Sequence, residues 1–186
     1  MLPAYPLVLA TAIADGAVLA NSIVATSIMP ASALAVIAGG ALQVGSVLKL
    51  MLRGRISTVV TTPGTLTFDI RFGNVIISAF GAIALNTVAQ VNTQFLFEGI
   101  AVVRSLGNGA LATALCTGDF ISRAVIASPA AGAGSAGEVL LPETAPAVGA
   151  GFDSTVAQVV NVFATWSVAN AANSLQVHQA FVELKV

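Results

Sequence analysis

The chain has 186 residues, a formal net charge of −1, 56% hydrophobic residues and only 8% charged residues. Ordinary soluble domains carry about 25% charged residues, so this composition is typical of a subunit whose surface is largely covered by neighbours in an assembly. The near-neutral balance argues against nucleic acid as a partner and provides no attraction to an anionic membrane surface. The length favours one domain.

Two long segments, residues 16–48 and 154–182, contain no Asp, Glu, Lys or Arg. Each is long enough to cross a bilayer. Both are broken by polar clusters at about strand length, and flanking Lys or Arg and aromatic belts are missing. We therefore expect no membrane span. We also expect no secretory signal, because the N-terminus lacks the positive residues that open one.

The N-terminal 30 residues combine Pro3, Pro6 and Pro30 with small apolar residues. This composition predicts an extended arm over residues 1–30. Its apolar content would be a liability in water, so we expect the arm to pack against a partner, with Pro30 as one contact residue. The Ala-rich residues 31–38 favour one short helical turn at most.

Two strands with period-2 alternation follow. Residues 42–57 alternate apolar side chains with polar ones that include Arg53 and Arg55, and residues 64–73 (GTLTFDIRFG) alternate more strictly. Such alternation indicates half-buried antiparallel strands. The six residues between them predict a hairpin loop.

Later runs predict further strands. The turn Gly107-Asn108-Gly109 separates the runs 94–106 and 110–121, and its residues tolerate positive φ, so it predicts a hairpin. Residues 156–168 and 175–186 are predicted to form a last pair joined by residues 169–174.

One segment, residues 128–151, concentrates Gly, Ala, Pro and Ser around the apolar island Val139-Leu140-Leu141. It is too long for an ordinary connection. We interpret it as a loop that crosses the sheet or reaches a neighbouring subunit, with Leu140 and Leu141 as its anchor. A mobile surface loop is the alternative.

Together these elements predict an all-β fold, an antiparallel β-sandwich of jelly-roll type. The sandwich spans residues 31–186. An extended arm precedes it, and residues 128–151 form a long crossing loop.

Residues suited to catalysis are sparse. Asp69, Glu98 and Asp119 lie on predicted strands without a spacing that places two of them in a shared site, and an ion pair of Asp69 with Arg71 or Arg53 is favoured instead. We expect no enzyme activity, no cofactor and no small-molecule substrate.

The single histidine, His178, excludes a His-based metal cluster, so no metal site is expected. The single cysteine, Cys116, excludes an internal disulfide and is interpreted as a buried structural thiol. A Cys116–His178 dyad has no activating context in the sequence. Trp166 could stack on a sugar, but a core or interface position is more common for tryptophan.

Five segments together resemble a family of small proteins encoded among tailed-phage virion genes. These segments are RGRISTVVTTPGTLTFDIRFG (53–73), GAIALNTVAQVNTQF (81–95), AVIASP (124–129), LLPETAPAVGAGFDSTVAQVVNVFATWSV (140–168) and LQVHQAFVEL (175–184). The resemblance implies a β-sandwich virion protein, most specifically a capsid decoration (cement) protein on the capsid surface. It implies the major capsid protein as partner and a homotrimer as the assembled form.

The interface hypothesis places contacts at Leu140, Leu141, Pro30, Val139 and Trp166. The main alternative is a tail, baseplate or appendage-base component. A carbohydrate-binding or depolymerising module would require an aromatic platform or paired carboxylates. A membrane-associated protein is favoured only by the average hydropathy.

Overall fold

The computed structural model describes residues 6–59, 61–127 and 137–186. Over these ranges the chain forms fourteen β-strands and one 3-10 turn at Ala31–Ala33, the short helical turn expected there. The strands are β1 Leu7–Thr11, β2 Leu19–Ala20, β3 Thr26–Ser27, β4 Ala35–Ile37, β5 Val47–Thr58, β6 Thr65–Phe72, β7 Val75–Ala79, β8 Ile83–Leu85, β9 Gln90–Ser105, β10 Thr113–Ser122, β11 Val125–Ala127, β12 Glu138–Leu141, β13 Gln158–Trp166 and β14 Ser174–Lys185.

The strands form two antiparallel sheets that face each other. Sheet A has the order β1-β14-β5-β9-β10-β12, with β2 also paired to β14. Sheet B has the order β11-β8-β6-β13-β3, with β4 paired to β13 and β7 paired to β6. The predicted antiparallel β-sandwich is confirmed.

Strand alternation places the core between the sheets. On β5, Leu50 and Leu52 are fully buried while Arg53 faces outward. Aromatic rings join the two sheets directly: the ring of Phe68 on β6 lies 4.9 Å from that of Phe97 on β9 and 5.0 Å from that of Phe120 on β10. Offset aromatic contacts of this kind add to the burial of apolar area, so they fix the spacing of the sheets.

Two of the predicted hairpins are wrong. Strand β5 pairs with β9 and β14 in sheet A, whereas β6 pairs with β7, β8 and β13 in sheet B. Strands β13 and β14 likewise lie in opposite sheets. Alternation identifies a strand and its buried face but not its partner, and both loops are long enough to cross the gap of about 10 Å between sheets.

The hairpin at Gly107-Asn108-Gly109 is confirmed. It joins β9 and β10, which pair along the whole of β10 from Thr113 to Ser122. Gly109 has a φ of 64°, a conformation that L side chains rarely adopt. The turn therefore sets the register that places the outward side chains of these two strands side by side.

The N-terminal segment packs on its own sandwich. Strands β1 and β2 pair with β14, residues 21–25 cross to sheet B, and β3 and β4 pair with β13. Ile28, Met29 and Pro30 are buried. The segment is extended, as expected. It does not project as a separate arm but packs along one side of its own sandwich. Residues 1–5 lie outside the described ranges.

The predicted loop at residues 128–151 is partly a strand. Residues 128–136 lie outside the described ranges, and Glu138–Leu141 form β12, which pairs with β10. The chain then returns along β10 through bridges from Leu115 to Val148 and from Ala112 to Phe152. The apolar island is therefore the edge strand of sheet A.

Candidate functional site

The predicted interface residues occupy very different positions. Trp166 is 1% exposed, Leu141 2% and Val139 4%, and Pro30 is also buried. Leu140 is 67% exposed, because β12 turns alternate side chains to the core and to solvent. The chain's own core covers the other four, so a partner can touch only Leu140 of this set without rearranging the fold.

Leu140 lines a groove on the outer face of sheet A. The groove has a volume of about 530 Å³ and runs between β9, β10 and the residues that follow β12. Its acidic side chains are Glu98, Asp119 and Glu143, and its apolar lining includes Ile100 and Leu140. We call it the acidic groove.

The acidic groove holds two carboxylates in direct opposition. Asp119 on β10 is the register partner of Glu98 on β9, and like charges so placed destabilise a strand pair. Lys49 lies with Nζ 3.0 Å from Oε1 of Glu98 and compensates that charge. Burial, followed by the charges of Glu98 and Glu138, raises the pKa of the Asp119 carboxyl above its usual range.

A basic pocket adjoins the acidic groove on the same face. It has a volume of about 430 Å³ and includes Arg53, Arg123, Gln94 and Ile121. Arg53 is the register partner of Leu96, which in turn pairs with Ile121. This row lies two residues along the strands from the Glu98–Asp119 row, a distance of about 7 Å.

A different surface lies where the chain crosses between sheets. Several connections cross between the sheets at one end of the sandwich. One of them, β10–β11, carries Arg123, whose carbonyl accepts a hydrogen bond from Nδ2 of Asn86 at 3.4 Å. Four others, β2–β3, β5–β6, β8–β9 and β13–β14, lie next to one another. Their described residues, together with the adjoining Val18 and Val91, contain no Asp, Glu, Lys or Arg, and we call this surface the uncharged end. Its exposed large side chains are Val18 (53%), Ile23 (59%), Val24 (67%), Val88 (63%), Val91 (75%) and Val168 (38%).

The loops of the uncharged end are tied together by polar contacts below the surface. Asn173 is fully buried; its Oδ1 accepts a hydrogen bond from the Val59 amide at 3.0 Å, and its Nδ2 donates to the Pro63 carbonyl at 3.1 Å. The Thr61 amide donates to the Thr87 carbonyl at 3.1 Å. A pocket of about 440 Å³ opens here, with Val59, Ala89, Val91 and Ala172 in its lining. The surface is therefore formed before any partner arrives.

Of the residues considered for catalysis, Cys116 and His178 are not brought together. Glu98 and Asp119 do lie opposite each other in the acidic groove, so the expectation that no two carboxylates share a site is wrong. Burial raises the pKa of the Cys116 thiol to about 12, while His178 lies with Nδ1 2.9 Å from Oδ1 of Asp15. Asp69 pairs with Arg71 at 2.7 Å, as predicted, whereas Arg53 lies in the other sheet. Over the described ranges, no three His, Cys, Asp or Glu side chains are grouped so that they could hold a metal ion.

Two long segments without Asp, Glu, Lys or Arg indicate the uncharged end in the sequence, although they served above only as a test for membrane spans. Residues 16–48 and 154–182 contain no Asp, Glu, Lys or Arg, and each supplies a crossing loop to this end. The acidic groove was missed because the opposition of Glu98 and Asp119 depends on the β9–β10 register. Among the described residues, no helix combines the length and hydropathy that a bilayer span requires.

No protein-family model matches the chain, and no curated protein matches it. Among solved structures, it is similar to lectin II from Ulex europaeus, with 12% identity, a TM-score of 0.30, and coverage of 98% of this chain and 95% of the lectin. It is also similar to lectin UEA-II complexed with galactose, with 10% identity, a TM-score of 0.32, and coverage of 98% and 99%. At these TM-scores neither similarity bears on the function of this chain.

Proposed function

We propose that the chain is a structural protein of a tailed-phage virion, most specifically a capsid decoration (cement) protein. In this role it binds the major capsid protein and stabilises the shell by bridging capsid subunits, as a homotrimer. The resemblance of its sequence segments to virion proteins supports the family. The observation that carries the proposal is the uncharged end, a preformed surface that exposes six large apolar side chains and is costly to leave in water.

The energetics of the uncharged end favour a protein partner. Monomeric soluble proteins rarely expose contiguous apolar patches larger than a few hundred Å². Covering apolar area contributes about 25 cal/mol per Å², from which the loss of translational and rotational freedom must be subtracted. A decoration protein is present in many copies, so a small surplus at each site adds up over the shell.

The hydrogen bonds beneath the uncharged end reduce the entropic cost of binding. Asn173 fixes Val59 and Pro63 in the free chain, so fewer loop conformations are lost when a partner docks. In this proposal the uncharged end faces the capsid. The charged outer face of sheet A remains available to solvent or to other copies.

The test is the position and occupancy of the chain in intact particles. Replacing Val88→Asp together with Val91→Asp places two charges on the uncharged end, at side chains that are 63% and 75% exposed. We expect at least tenfold weaker binding to the particle, equivalent to about 1.4 kcal/mol, with an unchanged circular dichroism spectrum. Subunit-resolution imaging and quantitative gel analysis measure the occupancy.

The matched control is Val44→Asp. Val44 is 65% exposed and lies at the opposite end of the sandwich, where the amide of Gly45 donates to the Val103 carbonyl. We expect it to keep full occupancy. Equal occupancy of the double variant and the control would remove the uncharged end as the binding surface. Density on the tail would favour the tail or baseplate alternative, and absence from particles would overturn the virion role.

A further inference from the structure

The outer face of sheet A carries opposite charges in adjacent rows. In one row, Glu98 on β9 lies opposite Asp119 on β10, and Asp119 in turn lies opposite Leu140 on β12. In the next row, Arg53, Leu96 and Ile121 lie side by side. The acidic groove and the basic pocket are therefore neighbours on one surface.

Several of these charges have no counter-ion among the described residues. Over the described ranges, the ion pairs are Lys49–Glu98, Arg71–Asp69 and His178–Asp15. Arg53, Arg123, Asp119 and Glu143 belong to none of them. Asp119 and Glu143 of the groove and the two arginines of the pocket can thus pair with groups outside the chain.

Apolar side chains lie between and beside the charges. Leu140 is 67% exposed and Ile121 is 41% exposed, and Met51, Leu96 and Phe181 are half-buried on the same face. An apolar centre with charges around it is typical of a protein–protein interface. The centre contributes apolar burial, and the charges select the partner and its orientation.

We propose that the outer face of sheet A binds a second copy of this chain across a two-fold axis, so that the basic pocket of each copy meets the acidic groove of the other. A two-fold contact uses the same surface on both subunits and therefore requires that surface to be self-complementary. Adjacent rows of opposite charge meet this requirement when the axis passes between them. The axis then lies close to Leu96 and Ile121.

This contact does not depend on the proposed virion role. It uses the outer face of sheet A, whereas the uncharged end lies at the tip of the sandwich. A two-fold contact does not by itself build a trimer; combined with a separate three-fold contact, it links trimers to one another.

Charge reversal tests the pairing. Arg53→Glu replaces a basic charge in one row with an acidic one, and Asp119→Lys replaces an acidic charge in the neighbouring row with a basic one. We expect the wild-type chain to form a dimer in sedimentation velocity, each single variant to lose that dimer, and an equimolar mixture of the two variants to recover it. Recovery is expected because the two introduced charges, which are opposite in sign, then face each other across the axis, and the native Asp119 and Arg53 that remain form the second pair.

Two further variants keep the experiment decisive. Glu143→Lys replaces Asp119→Lys if the half-buried lysine unfolds the chain, since Glu143 is exposed. Arg104→Glu is the matched control, because Arg104 is exposed on the same face near the far end of β9, and it should leave the dimer intact. A wild-type chain that shows no two-fold association, a dimer that survives Arg53→Glu, or a mixture of folded variants that fails to associate would each overturn the proposal.

Discussion

At the scale of single residues, Asp119 stands out because its surroundings disfavour the ionised form of its carboxyl. Glu98 lies directly across the strand pair, and burial together with the charges of Glu98 and Glu138 raises the pKa of Asp119. A carboxyl whose pKa is raised in the folded state binds its proton more tightly there than in the unfolded chain. Stability therefore falls as the pH rises through the unfolded pKa of about 3.9 and through the higher folded value.

Replacing Asp119→Asn should accordingly stabilise the monomer at neutral pH. Like charges across a strand pair cost about 0.2–1 kcal/mol, and solvent screening places the gain toward the lower bound. The gain should vanish well below about pH 3.9, where the carboxyl is protonated in both states. This gain in the free energy of unfolding is measured by urea unfolding at a series of pH values, at a dilution that keeps the chain monomeric. A gain that is constant with pH would contradict the electrostatic cause.

The residue scale also shows what local sequence pattern can and cannot predict. The Asp69–Arg71 pair was predicted because residues two apart on a strand share a face, and it forms at 2.7 Å. The burial of Cys116 was predicted from its chemistry and is confirmed at 2% exposure. The opposition of Glu98 and Asp119 could not be predicted without a register, since the two lie 21 positions apart in the sequence.

At the scale of elements, β12 places the two leucines of the predicted anchor on opposite faces of sheet A. Its four residues alternate, so Leu141 faces the core at 2% exposure and Leu140 faces the acidic groove at 67%. The two leucines are adjacent and chemically identical. Their substitution therefore separates a surface role from a core role.

We expect Leu141→Asp to unfold the chain, because it buries an unpaired charge. Leu140→Asp should cost at most about 1 kcal/mol, the effect of a like charge opposite Asp119, while it weakens self-association. Chemical denaturation and sedimentation velocity measure the two effects. Equal loss of stability in both variants would show that β12 does not keep this alternation in solution.

The strand partners illustrate a second limit at the element scale. Strand β5 and strand β6 follow each other in the chain but pair in different sheets. Six residues suffice either for a hairpin or for a crossing, so loop length does not discriminate. The hairpin between β9 and β10 could be predicted because Gly109 supplies a positive φ that a tight turn requires.

At the scale of the whole molecule, the charged side chains are unevenly distributed. Many acidic and basic side chains lie on the outer face of sheet A, whereas the four crossing loops of the uncharged end have none among their described residues. Asn173 ties two of these crossings together from below. A single buried amide thus helps to shape a surface to which both sheets contribute.

Asn173→Ala should loosen this end of the sandwich. It leaves the Val59 amide and the Pro63 carbonyl without their partner, at a cost of about 1–3 kcal/mol. Asn170→Ala is the matched control and should cost less, since among the described residues its side chain accepts a single hydrogen bond, from the nearby Ala172 amide. Urea unfolding gives the two free energies, and faster amide exchange at Val59 should accompany the loss; equal costs would remove the special role of Asn173.

By itself, the sequence determined that the chain is an all-β sandwich with unusually few charges, because period-2 alternation and composition are local properties that need no partner strand. It also determined the hairpin at Gly107-Asn108-Gly109 and the burial of Cys116. Only the tertiary structure decided which strands pair, that the N-terminal segment closes its own sandwich, and that Leu140 alone of the predicted contacts reaches the surface. These depend on register and on packing between residues far apart in the chain, where the free energy of the whole core selects among arrangements that are locally equivalent.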